Sequence, residues 1–127
     1  MHGATALVLA LKRGQEMMVE AVKSFSSPSI NWKAMESGKP WFSAVFSVDG
    51  MRALTCSDKE TAYKLARVLT AVQKLNPDVF VHGLDYHMVT NTAFNNHWGW
   101  GSSSSLIANL AKFARVDPYR LYFSVSS

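Results

Sequence analysis

Asp49-Gly50 separates two runs of strand-forming residues. Trp41-Phe42-Ser43-Ala44-Val45-Phe46-Ser47-Val48 precedes it, and Met51-Arg52-Ala53-Leu54-Thr55-Cys56 follows it. Asp-Gly accepts the positive φ angles of a two-residue type I′ turn, the connection that matches the twist of two antiparallel strands. The pattern predicts a hairpin over 41–56 that pairs Val48 with Met51, Phe46 with Ala53 and Ala44 with Thr55. Phe42, Phe46 and Val48 then face the core, and Trp41, Ser43, Val45, Ser47, Arg52 and Leu54 lie on the other face.

Around this hairpin the periodicity changes. Leu7, Leu11, Met18, Val22 and Phe25 recur at three-, four- and seven-residue steps, which predicts an amphipathic helix over 4–25. Residues 26–40 read as a connector whose Trp32 tucks against the body of the domain. Ser57-Asp58-Lys59-Glu60 has the form of a capping box, with Ser57 as the cap. A helix over 58–75 follows, with Ala62, Leu65, Ala66, Leu69 and Val72 inward and Asn76-Pro77 as its stop. A short strand is expected near 78–82, and a further one near Tyr86–Val89. Ser102 to Ser105 supply caps for a third helix, about 104–115. Tyr119-Arg120-Leu121-Tyr122-Phe123-Ser124-Val125 alternates and reads as a last strand, 119–125. The expectation is one α+β domain over 1–127, a small antiparallel or mixed sheet packed with three helices. A glycine-rich phosphate loop inside a β-α-β unit is absent, which removes the Rossmann and P-loop classes.

Composition supports a packed core. Of 127 residues, 48% are hydrophobic and 17% charged, so disorder is excluded. Thirteen Lys and Arg against nine Asp and Glu give a net charge of +4, a mild bias toward an anionic partner. Cys56 stands alone, so neither an internal disulfide nor a multi-cysteine zinc site is available. The apolar stretch Ala4–Leu11 is too short to span a bilayer, and Lys12 and Arg13 follow it where a signal peptide carries its basic residues first. A cytoplasmic protein without a membrane partner is expected, its oligomeric state open.

Four constellations bear on function. Aromatic and basic residues on strands, with Arg52, Arg120 and Tyr122 foremost, can stack bases and neutralise phosphates if they share a sheet face. The same side chains serve equally well as core or as ordinary surface. Lys64, Arg67 and Lys74 form a basic helix stripe that suits phosphates or an acidic protein, and also an ordinary solvated face. The loop 94–101, with Phe94, Asn95, Asn96, His97, Trp98 and Trp100, has the composition of a ligand or partner surface. Finally, His87 or His97 beside Cys56 or Ser103 sketches a small catalytic set. His82, His87 and His97 match no zinc signature spacing. Paired carboxylates are not visible, which leaves two-acid hydrolysis and two-metal catalysis without support. The ranking that results places first a non-catalytic binding module that contacts nucleic acid or a nucleic-acid-bound protein. A protein-binding inhibitor or adaptor using the loop 94–101 follows, and an enzyme comes third. No cofactor and no metal are expected.

Overall fold

The computed structural model describes residues 5–10, 15–81, 83–92 and 104–126. It is an α+β structure, as expected, built on a six-stranded mixed sheet with three helices. The strands are β1 (Thr5–Ala10), β2 (Gln15–Lys23), β3 (Ser29–Glu36), β4 (Lys39–Ser47), β5 (Ala53–Cys56) and β6 (Leu84–Thr92). The helices are α1 (Lys59–Leu75), α2 (Ser104–Ala114) and α3 (Pro118–Ser126). The sheet order is β1-β2-β6-β3-β4-β5. Every neighbouring pair is antiparallel except β3 and β6, which run parallel.

One sheet face carries the core. Met17 and Val19 of β2, Tyr86 and Met88 of β6, Ile30, Trp32 and Ala34 of β3, and Phe42, Ala44 and Phe46 of β4 are all buried. The helices cover this face with Leu65, Val68, Leu69 and Val72 of α1, Leu106, Ile107, Leu110 and Ala111 of α2, and Leu121 of α3. The period-two burial along each strand and the i, i+3, i+4 burial along α1 are what one buried face requires of each element.

Four sequence expectations are corrected. The described residues of the expected helix 4–25 form no helix; they contain the antiparallel pair β1–β2, with Leu7 opposite Val19 and Ala10 opposite Glu16. Met17 and Val19 alternate with exposed Glu16, Met18 and Glu20, so period two governs this segment. Of the apolar residues at three- and four-residue steps, Met18 and Val22 fall on the face of β2 opposite Met17 and Val19, and Phe25 follows the strand. Residues 26–40 are more than a connector, because they hold β3 and the start of β4. Buried Ile30, Trp32 and Ala34 alternate there with Asn31, Lys33 and Met35. Of the strand expected near 78–82, the described residues 78–81 form a turn and bend whose Phe80 is buried, and the strand lies at 84–92, covering the segment Tyr86–Val89. The final strand, 119–125, is helix α3. Asp117-Pro118 starts it: the Tyr119 N–H donates to Asp117 Oδ1 at 2.9 Å, and the Leu121 N–H to the Asp117 carbonyl at 3.0 Å. Pro at the first helical position costs no hydrogen bond and presets φ.

The hairpin over 41–56 forms as expected, with Phe42 and Phe46 inward, but its turn differs. Phe46 does face Ala53, whereas a bulge then moves Ala44 opposite Cys56 rather than Thr55. Positive φ falls on Gly50 (83°) and Met51 (49°), and the Ser47 N–H closes the loop onto the Arg52 carbonyl at 2.8 Å. The two-residue turn with positive φ at both positions occurs instead at Ser37 (50°) and Gly38 (81°), joining paired Glu36 and Lys39 of β3 and β4.

Candidate functional site

The strand β5 lies at an edge of the sheet, and the chain turns directly from it into α1. Asp58 caps the helix, accepting from the Thr61 N–H at 3.0 Å and from the Thr61 hydroxyl. These bonds to its ionised form hold the Asp58 carboxyl below its usual range. Ser57, the cap expected from sequence, does other work. Its Oγ accepts from the Ser43 N–H at 3.0 Å, and its own N–H donates to the Ser43 carbonyl at 2.9 Å. The last strand pair is thereby closed immediately before the helix begins, and α1 runs back alongside β5.

Between β5 and α1 opens a groove of about 1190 Å³. Small side chains of α1, namely Ala62, Ala66, Thr70 and Ala71, line it and make room. Gly50 through Cys56 form the strand side, and Ser124 of α3 contributes at one end. Lys59, Tyr63, Arg67 and Lys74 stand on the helix side, and Arg52 on the strand side. Four lining residues are thus cationic, and among the described lining residues none is Asp or Glu. Like charges gathered in a concave surface sum to a positive potential that attracts anions and weakens with salt. Arg67 is anchored at the rim, where its guanidinium donates to the Val125 carbonyl of α3 at 3.0 Å. Tyr63 stands 67% exposed, an apolar ring with a polar tip that a ligand can cover.

The candidate residues read from sequence divide. Arg52, Arg67 and Lys74 come together in the groove. Lys64 does not; it points from the outer side of α1 and pairs with Glu60 at 3.6 Å. Arg120 and Tyr122 belong to α3, so they share no sheet face with Arg52. Tyr122 packs edge-on against Phe123, with ring centroids 5.8 Å apart. The sheet platform of arginines and aromatics is therefore not assembled. Sequence reasoning missed Lys59 and Tyr63. The signal was the four-residue spacing of Lys59, Tyr63 and Arg67, which places all three on one side of a helix.

Cys56 and His87 are separated. In the order β6-β3-β4-β5 they lie three strand spacings apart, about 14 Å. Cys56 is in register with buried Ala44 on the helix-covered face. His87 neighbours Glu20 and Asn31 on the opposite, exposed face. The pairing of these two as nucleophile and base is corrected by that geometry. His82, Phe94, Asn95, Asn96, His97, Trp98, Trp100 and Ser103 lie outside the described residues. Among the described residues no cluster of three or more His, Cys, Asp or Glu can hold a metal ion. None of the described helices is long and apolar enough to cross a membrane. Compared with known proteins, the chain matches no family model, no curated protein and no solved structure.

Proposed function

We propose that this chain is a non-catalytic binding module that docks an acidic segment of a partner protein in the groove between β5 and α1. The observation that carries this reading is the one-sided charge of the groove: Arg52, Lys59, Arg67 and Lys74 with no carboxylate among its described lining residues. A surface of mixed sign, the usual case on a solvated helix, gives no such preference. Exposed Lys and Arg contribute little singly, but several acting on one ligand steer and orient it. A second reading, single-stranded nucleic acid, is favoured by exposed Tyr63 among the same cations, since bases stack on such a ring while phosphates meet the charges.

Fluorescence polarisation separates the two. The probes are a short labelled peptide alternating glutamate and valine, and a labelled oligothymidylate, each titrated at low and at raised salt. The acidic-segment reading expects the peptide to bind more tightly than the oligonucleotide and to weaken as salt rises. Arg52→Glu and Lys59→Glu each reduce that binding, while Lys64→Glu, outside the groove, leaves it unchanged. Peptide binding that ignores both groove reversals overturns the reading. Binding of the oligonucleotide alone gives the groove to nucleic acid.

A further inference from the structure

The β5 edge gives the groove a second property besides charge. The Ser57 N–H bonds to the Ser43 carbonyl, and Thr55 stands opposite Val45 two residues on. The Ser47 N–H bonds to the Arg52 carbonyl on the other side of the bulge at Leu54, so the backbone groups of Thr55 turn toward β4, as does the N–H of Leu54, and those of Ala53 and Cys56 turn away from it. Beyond β5 no further strand is paired among the described residues. Ala53, Leu54 and Thr55 are all exposed. An open edge of this kind is a template for an added strand.

We propose that the acidic segment docks as an additional strand on β5, a mode that rests on the acidic-segment reading above. Its backbone bonds to the outward N–H and C=O groups of Ala53 and Cys56. Its acidic side chains, at every second position, face the cations of α1. The two repeats fit. Alternate residues on a strand are about 6.7 Å apart, and residues four apart on a helix rise about 6 Å. Lys59, Tyr63 and Arg67 follow that helical step. Glutamates at alternate positions of an extended segment therefore stay close to register with this row over the length of β5. The cations also decide against the commonest misuse of an open edge. A second copy of β5 would bring Arg52, Lys59 and Arg67 against their own equivalents, and like charges so placed repel. The edge selects an acidic strand and rejects its own.

The test uses the full chain and two forms of the glutamate–valine peptide, one unmodified and one N-methylated at every amide. Methylation keeps the charge but removes the donors and blocks close approach of a strand. The unmodified peptide is expected to bind, and the methylated form to bind about tenfold more weakly, the weight of roughly two backbone hydrogen bonds. In the complex, amide hydrogen exchange of Ala53 and Cys56 slows by about tenfold or more, while Leu54 and Thr55, already turned toward β4, change little. If both peptides bind within about twofold and neither amide slows, strand addition is overturned while acidic docking stands. If the unmodified peptide fails to bind even at low salt, both fall together.

Discussion

Leu121 and Phe123 discriminate between a strand and a helix at the end of the chain. On a strand, two residues apart, they share one face and one degree of burial. In α3 they do not: Leu121 is 0% exposed, and Phe123 is 66% exposed. Leu121→Ala removes a wholly buried side chain where α3 meets the other two helices. Such truncations cost about 2–5 kcal/mol, and ~3 kcal/mol is a fair value for a site on a terminal helix that can partly collapse. Unfolding entropy near 2.1 cal/mol/K per residue gives about 0.27 kcal/mol/K for a chain of this length, so the melting temperature falls by about 11 °C. Phe123→Ala removes a mainly solvated ring and is expected to stay within about 0.5 kcal/mol, or about 2 °C. Thermal unfolding followed by circular dichroism reads both. Equal losses from the two variants, or a larger loss from Phe123→Ala, refute the helical assignment and the docking of α3 through Leu121.

Gly38→Val is expected to cost about 1–2 kcal/mol in a denaturant titration, because φ is +81° there and a Cβ meets nothing within 4 Å, so the loss is backbone strain alone. Asp58→Ala removes the α1 cap, and its effect depends on pH. The folded carboxyl titrates below its ordinary value of 3.8, so the contribution is present above that value and is lost as pH falls through the lowered one. Melting temperatures of parent and variant therefore differ at neutral pH and converge in acid; a constant difference refutes the cap. Cys56, half-buried and lining the groove, is expected to react more slowly with a neutral alkylating reagent when the glutamate–valine peptide is bound. Unchanged kinetics at saturating peptide place the peptide elsewhere.

The sequence made some elements plain and concealed others for identifiable reasons. Phe42, Ala44 and Phe46 alternate with Ser43, Val45 and Ser47 ahead of Asp49-Gly50, and α1 carries an unbroken apolar stripe between a cap and Asn76-Pro77; both were legible. The strand β3 was not, because Asn31 and Lys33 interrupt Ile30, Trp32 and Ala34 and the stretch resembles a polar connector. For β2, the exposed Met18 next to buried Met17 adds an apolar residue on the solvent side and lends the segment a helical period. In α3, Leu121, Phe123 and Val125 alternate like a strand, while the decisive feature, Asp117-Pro118, stands just ahead of them. Arg52, Arg67 and Lys74 were recognisable as cations but not as neighbours. Their meeting depends on the immediate return of α1 along β5, a tertiary fact that no local pattern records.

The position of β6 governs the order in which this sheet can be completed. It lies between β2 and β3 and bonds to both, along Gln15–Lys23 on one side and Ile30–Glu36 on the other. During synthesis, β1–β2 and β3–β4–β5 can form as two separate antiparallel pieces, each from sequence-local pairings. Each piece then waits with an open inner border until residues 84–92 leave the ribosome. The closing strand must find partners more than fifty residues upstream, a non-local search that slows folding. In that interval two unfinished borders are exposed to other nascent chains, the condition in which sheets aggregate. A chain arrested before Leu84 is thus expected to be an insoluble one, whatever the soundness of its hairpins.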